Sequence, residues 1–522
     1  MSTLSLGTVS PEARYIVTVD IGTTSTKTLA VRHDGFITAS HSVGYPLHTP
    51  QPDYAEQDPE EIWGAVLHGV AEVVRTAQIM PHQVTGVSFS SAMHSIFAVD
   101  REGRPLMPMM TWADNRSSAY KTILMEQYDG KRIYEQTGTP IHPMSPLLKL
   151  MWLQDHEPEL FQAAYKFIGI KEYVFAKMFG SYLIDYSIAS TTGLFHLRDL
   201  QWNADSLQAA GISAEQLSEP VPTTHIVTGL KPEYASAMGI SPATPFILGA
   251  ADGVLANLGS GCYEPGVYSV TIGTSGAVRG VVAEPIADAR ARLFCYALLP
   301  GMWVVGGAIN NGGIMFRWAR DQLATLEAEQ ARLAGEDPYK RLTELAASVS
   351  PGSEGLIFLP FLAGERAPHY NADARGAFFG LSLRHGKPHM VRAVLEGVIY
   401  RMASVINALE ETGGPARELR ASGGFARSAF WCQLLADVSG VQVTVPDTVE
   451  SSGVGAARLA LAALGKTVSV AESEHWIRTT ERYEPNAKAH EVYKELFEIY
   501  ENVYWQLQQP FAAISAFQKR QD

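Results

Sequence analysis

Two runs of alternating apolar residues end in nearly the same turn, one close to the start of the chain and one at its middle. Each turn is followed by a second short apolar run, which is the pattern of a β-hairpin. The two turns read Val19-Asp20-Ile21-Gly22-Thr23-Thr24-Ser25-Thr26-Lys27 and Val270-Thr271-Ile272-Gly273-Thr274-Ser275-Gly276. The duplication predicts two related domains.

Apolar residues at helical spacing predict helices between these strand runs, at 59–76, 391–399 and 430–438. A segment rich in Ala, Glu, Leu and Arg over 321–350 predicts a helical excursion on the surface. A tail helix carries a broad aromatic face that includes Tyr493 and Tyr504, which we interpret as packing, and we expect Pro510 to stop it.

The length of 522 residues exceeds the size at which one hydrophobic core keeps growing. We therefore predict an N-terminal domain over 12–262 and a C-terminal domain over 263–510. The hydrophobic fraction of 46% and the charged fraction of 18% allow large cores, so these values argue against a disordered chain.

The net charge and the cysteine content indicate which partners and which cellular compartment to expect. A net charge of −13 disfavours nucleic acid and anionic membranes as partners. The three cysteines are too few and too scattered for a disulfide framework or a metal knuckle. Residues 1–14 lack a signal-peptide pattern, and no apolar stretch is long enough to span a bilayer. We predict a cytoplasmic protein, with a homodimer left open.

The first hairpin has the chemistry of a phosphate site. Asp20 precedes a turn of glycine and hydroxyl groups, so its carboxylate can face a phosphate-bound metal. The donors in the turn are Thr23, Thr24, Ser25 and Lys27. A plain hairpin with polar turn residues is the alternative, and the duplication favours phosphate binding. Thr271 replaces the aspartate in the second copy, so only the first copy can recruit magnesium through a carboxylate.

Asp252 follows the apolar strand 246–248, just before the predicted change of domain. A carboxylate at a strand end can accept the proton of a hydroxyl that attacks a phosphoryl group. The alternative role is that of an N-cap for a helix beginning near Val254. Both roles are open on local grounds.

Two glycine clusters lie in the second half of the chain. Gly423 and Gly424 stand between a polar strand and an apolar helix, where backbone can approach a flat ligand and free amides are available. The cluster 306–313 precedes a helix and could line an adenosine group. Either cluster alone is more typical of a turn. Nucleotide binding is favoured because both clusters lie in the same half of the chain as the Gly273 hairpin.

Two longer motifs carry a resemblance to a known family. The stretches 144–156 (Met-Ser-Pro-Leu-Leu-Lys-Leu-Met-Trp-Leu-Gln-Asp-His) and 376–397 resemble the two signatures of the FGGY carbohydrate kinases. The resemblance covers Tyr15 to Tyr504. It implies an α/β fold of two actin-like (ribonuclease-H-like) domains with an interdomain catalytic cleft, in which the first domain binds the sugar and the second binds ATP.

The resemblance also implies roles for single residues. Asp252 matches the general base. From the residue pattern of the first hairpin, we expect Asp20 to hold Mg²⁺ through water beside the phosphates of ATP. The positions that match the nucleotide site are Thr23, Thr24, Ser25, Lys27, Gly273, Thr274, Gly313, Arg317, Gly423, Gly424 and Ser428. Ser428 stands where many relatives have an asparagine, so the resemblance does not decide whether this residue makes the corresponding hydrogen bond.

Two polar segments stand where the family contacts its sugar. The candidate substrate residues are Met93, His94, Trp112, Asp114, Asn115, Arg116, Lys171 and Asp252. Polar members can exchange hydrogen bonds with hydroxyls, and Trp112 offers a flat wall. A simple ion pair is the alternative for Arg116.

The order Met-His-Ser, then Thr-Trp-Ala-Asp-Asn-Arg-Ser, most resembles the gluconokinase branch, whereas xylulokinases tend to carry Met-His-Gly. This resemblance implies ATP-dependent phosphorylation of D-gluconate to 6-phospho-D-gluconate. Xylulose or another pentulose is the alternative acceptor, and a non-catalytic ATP-dependent sugar sensor or actin-like assembly module is the third interpretation. A gluconate carboxylate would need a cation, for which Arg116 and Lys171 are candidates and Lys149 is a further one.

Overall fold

The computed structural model describes residues 12–447 and 450–520. The described residues form two compact units. Unit 1 contains residues 12–263, 282–304 and 450–477, and unit 2 contains residues 264–281, 305–447 and 478–520. The predicted domain boundaries stay a prediction. The two units interleave along the chain, because two segments from beyond residue 263 belong to unit 1.

The strands and helices of the described residues are numbered in chain order. The strands are β1 (Tyr15–Ile21), β2 (Ser25–Arg32), β3 (Ile37–Gly44), β4 (Glu56–Gln57), β5 (Val84–Ser91), β6 (Phe97–Val99), β7 (Met109–Met110), β8 (Lys166–Ile168), β9 (Leu183–Asp185), β10 (Phe195–His196), β11 (Gln201–Trp202), β12 (Glu219–Val221), β13 (Ile226–Val227), β14 (Phe246–Ala251), β15 (Val267–Ile272), β16 (Gly276–Val282), β17 (Phe294–Leu299), β18 (Met302–Ile309), β19 (Ile357–Leu359), β20 (Ala377–Phe379), β21 (Glu418–Ser422), β22 (Val443–Pro446) and β23 (Thr479–Tyr483).

The helices are α1 (Pro59–Thr76), α2 (Tyr120–Gln127), α3 (Gly130–Thr137), α4 (Pro146–His156), α5 (Pro158–Ala163), α6 (Ile170–Phe179), α7 (Tyr186–Ser190), α8 (Ala204–Ala210), α9 (Pro232–Met238), α10 (Asp252–Gly259), α11 (Ile314–Trp318), α12 (Thr325–Ala334), α13 (Pro338–Ala347), α14 (Lys387–Gly413), α15 (Ala429–Ser439), α16 (Ser451–Ala463), α17 (Ala487–Gln506) and α18 (Gln508–Gln518). Within the described ranges, none of these helices is both long and apolar enough to cross a bilayer.

Unit 1 is built on a six-stranded sheet in the order β13-β14-β5-β1-β2-β3. Strand β1 pairs antiparallel with β2, which confirms the first predicted hairpin, and parallel with β5. Strand β5 also pairs parallel with β14. Since the carboxyl ends of parallel strands meet at one edge of a sheet, the turn after β1 and the residue after β14 share that edge.

Helix α1 covers this sheet and begins where local chemistry predicts. The Asp58 side chain accepts a hydrogen bond from the Glu60 amide, and Pro59 occupies the first helical position. The buried stripe of α1 includes Ile62, Trp63, Val66, Val70 and Val73. These residues join the core formed by the apolar face of β1 and β5. The helix predicted at 59–76 is confirmed.

Unit 2 repeats this topology. Its sheet contains the order β18-β16-β15-β21-β22-β23. Strand β15 pairs antiparallel with β16 and parallel with β21, and β21 pairs parallel with β22. These directions match those of β1, β2, β5 and β14. The second hairpin and the predicted duplication are therefore confirmed.

The helices of unit 2 confirm two predictions and correct a third. Segment 321–350 is helical, as predicted, through α12 and α13. Residues Tyr493 and Tyr504 are buried, so the aromatic face of the tail does pack. Pro510 does not stop the tail helix: α17 ends at Gln506, and Pro510 lies in the first turn of α18. Proline is tolerated there because the first amides of a helix have no intrahelical acceptor.

Helices α10 and α16 of unit 1 touch through their backbones. A methyl group on Gly259 would lie 1.7 Å from the Ser451 carbonyl oxygen, and one on Gly455 would lie 2.0 Å from the Leu255 carbonyl oxygen. Real side chains do not approach so closely, so glycine is required on both helices. This contact joins the helix after β14 to a segment that lies about two hundred residues later in the chain.

Gly455→Ala should therefore destabilise unit 1, because the added methyl group forces the two helices apart. Overpacking of this kind costs about 3 kcal/mol, which should lower the midpoint of thermal unfolding by roughly 5 °C. Gly64→Ala is the matched control, since a methyl group there meets no atom within 4 Å in an exposed helical position. Equal midpoints for wild type and Gly455→Ala in calorimetry would contradict the close contact.

Candidate active site

Asp252 is the first residue of α10 and follows β14 directly. Ala251 holds the N-cap position, so the alternative role of Asp252 as an N-cap is wrong. The Gly253 amide donates to Asp252 Oδ1 at 2.6 Å. The carboxylate is partly exposed at the positive end of a helix, which stabilises negative charge.

Asp20 stands near the end of β1, and a serine binds each oxygen of its carboxylate. Ser90 Oγ donates to Oδ1 at 2.7 Å, and Ser452 Oγ donates to Oδ2 at 2.6 Å. Ser90 is the register partner of Asp20 on β5, whereas Ser452 comes from the first turn of α16. The two hydroxyls fix the orientation of the carboxylate.

The turn after β1 joins two sets of predicted residues. The Gly22 amide donates to the Ser25 carbonyl oxygen at 3.0 Å, which closes the turn. Trp112 Nε1 donates to Thr23 Oγ1 at 2.8 Å, and Gln57 Nε2 donates to the Thr23 carbonyl oxygen at 2.6 Å. Thr23 of the predicted phosphate loop thus contacts Trp112 of the predicted sugar site.

Lys27 forms a part-exposed ion pair with Glu450. Its Nζ lies 2.9 Å and 3.0 Å from the two carboxylate oxygens. Pairs as exposed as this one contribute about 0–1 kcal/mol. Lys27 can therefore exchange this partner for a phosphate at little cost, and its role in phosphate binding stays a prediction.

A small cavity at this edge of unit 1 brings together part of the predicted sugar site. Its lining includes Thr23, Met93 and Trp112. His94 lies next to Met93, is buried, and has a φ of +68°. Its Nδ1 pairs with the Thr191 carbonyl oxygen at 2.8 Å, which requires a proton on that nitrogen.

Asp114 and Arg116 lie in a buried ion cluster. Arg116 Nη2 donates to Asp114 Oδ2 at 2.7 Å and to Glu56 Oε1 at 2.5 Å. The guanidinium carbon stands 3.5 Å from the Tyr54 ring centroid. Arg116 therefore forms an ion pair, as the alternative interpretation of this residue predicts. Asn115 is exposed between them.

Lys171 is also buried and paired. Its Nζ lies 2.6 Å from Asp185 Oδ2 and donates to the Ala250 carbonyl oxygen at 3.3 Å. Burial lowers the pKa of Lys171, and the Asp185 carboxylate opposes that shift. Asp252 also acts on Lys171 through its charge. Both predicted cations thus have acidic partners, and contact of either with a substrate carboxylate stays a prediction.

A cavity of about 750 Å³ in unit 2 brings the predicted nucleotide residues together. The Gly313 amide donates to the Gly273 carbonyl oxygen at 2.7 Å, and the Ile314 amide donates to the Thr274 carbonyl oxygen at 3.2 Å. The second hairpin and the start of α11 are therefore joined directly. The predicted residues that line this cavity are Gly273, Thr274, Gly313, Arg317, Gly424 and Ser428.

Gly423 follows β21 and is not among the residues that line this cavity, whereas Ser428 precedes α15 and does line it. Gly423 has a φ of +88°, and a methyl group there would lie 2.7 Å from the Ile272 carbonyl oxygen. Glycine is required at this position by both conformation and space. Ser428 is the N-cap of α15, and its Oγ accepts from the Trp431 amide at 3.4 Å.

Sequence reasoning missed an entire wall of this cavity. The wall is formed by the N-cap and first turns of α13 and by aromatic rings, and its members are Phe316, Asp337, Tyr339, Lys340, Thr343, Glu344, Phe430 and Trp431. The ring centroid of Phe316 lies 5.1 Å from that of Tyr339 and 5.4 Å from that of Trp431. The surface-like composition of 321–350 contains no signal of a ligand. Ser90, Glu450 and Ser452 were missed because nothing local marks their contacts with the first hairpin.

Comparisons with known proteins identify the family of the chain. Residues 15–259 match the N-terminal domain of the FGGY family of carbohydrate kinases, and residues 268–464 match its C-terminal domain. The chain is 47% identical to a gluconokinase of Bacillus subtilis over 97% of this chain and 98% of that relative. It is 28% identical to a xylulose kinase of the same organism, over 97% of this chain and 100% of the relative.

A solved structure extends the similarity to the fold. The crystal structure of gluconate kinase from Lactobacillus acidophilus matches with a TM-score of 0.92 and 34% identity, over 96% of this chain and 100% of that one. The match confirms the predicted α/β fold with two actin-like domains. The chain belongs to the FGGY family of carbohydrate kinases.

Proposed function

We propose that the protein is a gluconokinase, which transfers the γ-phosphoryl group of ATP to the terminal hydroxyl of D-gluconate and releases 6-phospho-D-gluconate and ADP. The observation that carries this proposal is the identity of 47% to a gluconokinase, against 28% to a xylulose kinase at equal coverage of this chain. The Met93-His94-Ser95 sequence supports the same acceptor. We place the reaction in the cytoplasm, where ATP is available.

A pentulose such as xylulose is the second candidate acceptor. One observation favours it: Arg116 and Lys171 already have buried acidic partners, at 2.7 Å and 2.6 Å. A neutral sugar needs no cation, whereas the carboxylate of gluconate does. In a gluconokinase, neutral side chains such as those of His94 and Trp112 would then meet much of the acceptor.

Asp252 is our proposed general base. Its carboxylate accepts the proton of the terminal hydroxyl while the hydroxyl oxygen attacks the γ-phosphorus, the bond from phosphorus to the bridging oxygen breaks, and ADP leaves. Support comes from its position at the strand edge that also holds the turn after β1, and from the hydrogen bond from Gly253, which fixes one carboxylate oxygen. The second oxygen is the proposed proton acceptor.

The unit 2 cavity is our proposed ATP site. The turn of the second hairpin suits phosphates, because backbone amides and hydroxyls at such a turn can form an anion-binding concavity. Aromatic rings on the opposite wall suit a flat base. Arg317 is exposed at the first turn of the short helix α11, where its charge can meet a phosphate.

Magnesium is implied by phosphoryl transfer in this family, and the residues fit it. Among the described residues, each oxygen of Asp20 accepts a hydrogen bond from one serine hydroxyl, so lone pairs remain for the water ligands of an ion. In the described part of the chain no group of three or more His, Cys, Asp or Glu side chains could hold a metal. An oxygen site of one carboxylate, water and phosphates is typical of magnesium. The ion would supply charge neutralisation at the phosphates, and Asp20 would hold it.

The acceptor is tested with a panel of sugars in an assay of ADP release. Gluconate, xylulose, ribulose and glycerol are compared at equal concentrations with ATP and magnesium. We expect kcat/KM for gluconate to exceed that for each other acceptor by at least about 100-fold, as for a site whose hydrogen-bonding groups match one acceptor. A higher kcat/KM for xylulose would establish the second candidate in its place.

Asp252→Asn should lower kcat by about 10²–10⁴-fold, because an amide cannot accept the proton of the attacking hydroxyl. The thermal shift induced by ATP should stay unchanged, since none of the unit 2 cavity residues is altered. Asp199→Asn, at an exposed carboxylate, is the control for the loss of a charge. Turnover at the wild-type rate in Asp252→Asn would remove this residue from the role of base.

Gly273→Ala should raise the KM for ATP about tenfold and leave the KM for the sugar and the unfolding temperature unchanged. A methyl group at Gly273 meets no atom of the protein within 4 Å, so the fold tolerates it. The methyl group would instead occupy the space of a phosphate on the hairpin amides. An unchanged KM for ATP would mean that the nucleotide does not approach this turn.

A further inference from the structure

The ammonium group of one lysine in unit 1 binds the main chain of three separate segments. Lys149 lies on α4 and is completely buried. Its Nζ donates to the carbonyl oxygens of Thr111 at 2.6 Å, Met144 at 2.9 Å and His94 at 3.0 Å. An ammonium group has three N–H bonds, so these three acceptors use all of its donors.

Two of the three carbonyls belong to the segments that carry the candidate sugar residues. The His94 carbonyl follows Met93, which lines the unit 1 cavity, and the Thr111 carbonyl directly precedes Trp112. Trp112 in turn donates to Thr23 Oγ1 at 2.8 Å. The ammonium group therefore sets the spacing between the two walls of this cavity.

The backbone at His94 needs such support. Its φ of +68° is a left-handed conformation, which costs free energy for a residue with a side chain. Its supports include the pairing of the ring nitrogen Nδ1 with the Thr191 carbonyl oxygen and the hydrogen bond from Lys149 to the His94 carbonyl. Removing the ammonium group would take one of these supports from the strained turn.

The charge of Lys149 is costly, which indicates a role beyond packing. The pKa of Lys149 is lowered to about 7: burial lowers it most, the charge of Asp114 opposes that shift, and the charge of Arg116 adds to it. The three carbonyl dipoles also favour the charged form. A methionine of similar length would fill the same volume without this cost of burial.

We propose that Lys149 is a positioning residue for the acceptor sugar: its ammonium group fixes the main chain of His94 and Thr111 so that Met93, His94 and Trp112 present one binding surface. The inference rests on the proposed function of the unit 1 cavity as the sugar site. Lys149 acts through the main chain of these segments and does not itself meet the sugar.

The test compares Lys149→Met with Lys149→Gln. Lys149→Met removes every donor, and Lys149→Gln keeps two N–H donors without the charge. We expect the KM for the acceptor that wild type phosphorylates to rise at least tenfold in Lys149→Met and less in Lys149→Gln. The KM for ATP and the thermal shift induced by ATP should stay at wild-type values, because they report on unit 2.

Lys166→Met is the matched control. Lys166 Nζ also donates to two main-chain carbonyls of unit 1, those of Glu215 and Leu217, both at 2.9 Å. Neither of these residues belongs to a candidate sugar segment. Lys166→Met should therefore leave the KM for the sugar unchanged, which separates the loss of this anchor from the loss of any lysine that binds main-chain carbonyls.

Hydrogen exchange without sugar supplies a readout that does not depend on the acceptor. Amides of residues 92–95 and 111–113 should exchange faster in Lys149→Met than in wild type or Lys166→Met. Unchanged exchange would overturn the proposal, whichever sugar the enzyme accepts. Faster exchange in an enzyme that prefers xylulose would support the proposal while removing gluconate as the substrate.

Loss of the thermal shift with ATP in both Lys149 variants would also overturn the proposal, because Lys149 would then stabilise the whole protein rather than the sugar segments.

Discussion

The backbone contact between α10 and α16 is the constraint on which the unit 1 site depends. Gly259 and Gly455 let the two helices approach until main-chain atoms touch. Helix α10 begins with Asp252, and the start of α16 delivers Ser452 to Asp20. A wider separation would move Ser452 away from the carboxylate that it orients. The candidate base and the candidate metal ligand are thus held in register by two residues that have no side chain.

Buried cations form the second theme of unit 1. Arg116, Lys171 and Lys149 are all more than nine-tenths buried as side chains, and each is fully engaged with carboxylates or carbonyls. Breaking any of these arrangements would leave an uncompensated charge, which is expensive in a protein interior. The three cations near the candidate sugar site therefore bind carboxylates and main-chain carbonyls of the protein itself. Specificity for the acceptor then depends on where the candidate sugar segments place neutral groups such as Trp112.

Local sequence patterns predicted the parts of the structure that local forces determine. The two hairpins, helix 59–76 and the glycine segments around Gly273 and Gly424 all occur where expected, because turns, caps and apolar spacing are decided within a few residues. The membership of 450–477 in unit 1 and the role of α13 as a cavity wall were not predictable in this way. They depend on contacts between residues that lie far apart in the chain, and a solvated composition such as that of 321–350 is the same for a free helix and for one beside a ligand. Pro510 shows the same limit, since its effect depends on which turn of a helix it enters.

The two sheets show how one scaffold supports two kinds of chemistry. Asp20 and Thr271 occupy the same position in the duplicated topology, and each bonds to the serine opposite it on the neighbouring parallel strand, Ser90 or Ser422. The hydroxyl of Thr271 satisfies Ser422 and carries no charge. A carboxylate at the equivalent place can satisfy Ser90, accept a second hydroxyl from Ser452 and still bind the water of a cation. One substitution on a repeated framework therefore separates a hairpin suited to metal and phosphate from one that can only hold phosphate through its amides and hydroxyls.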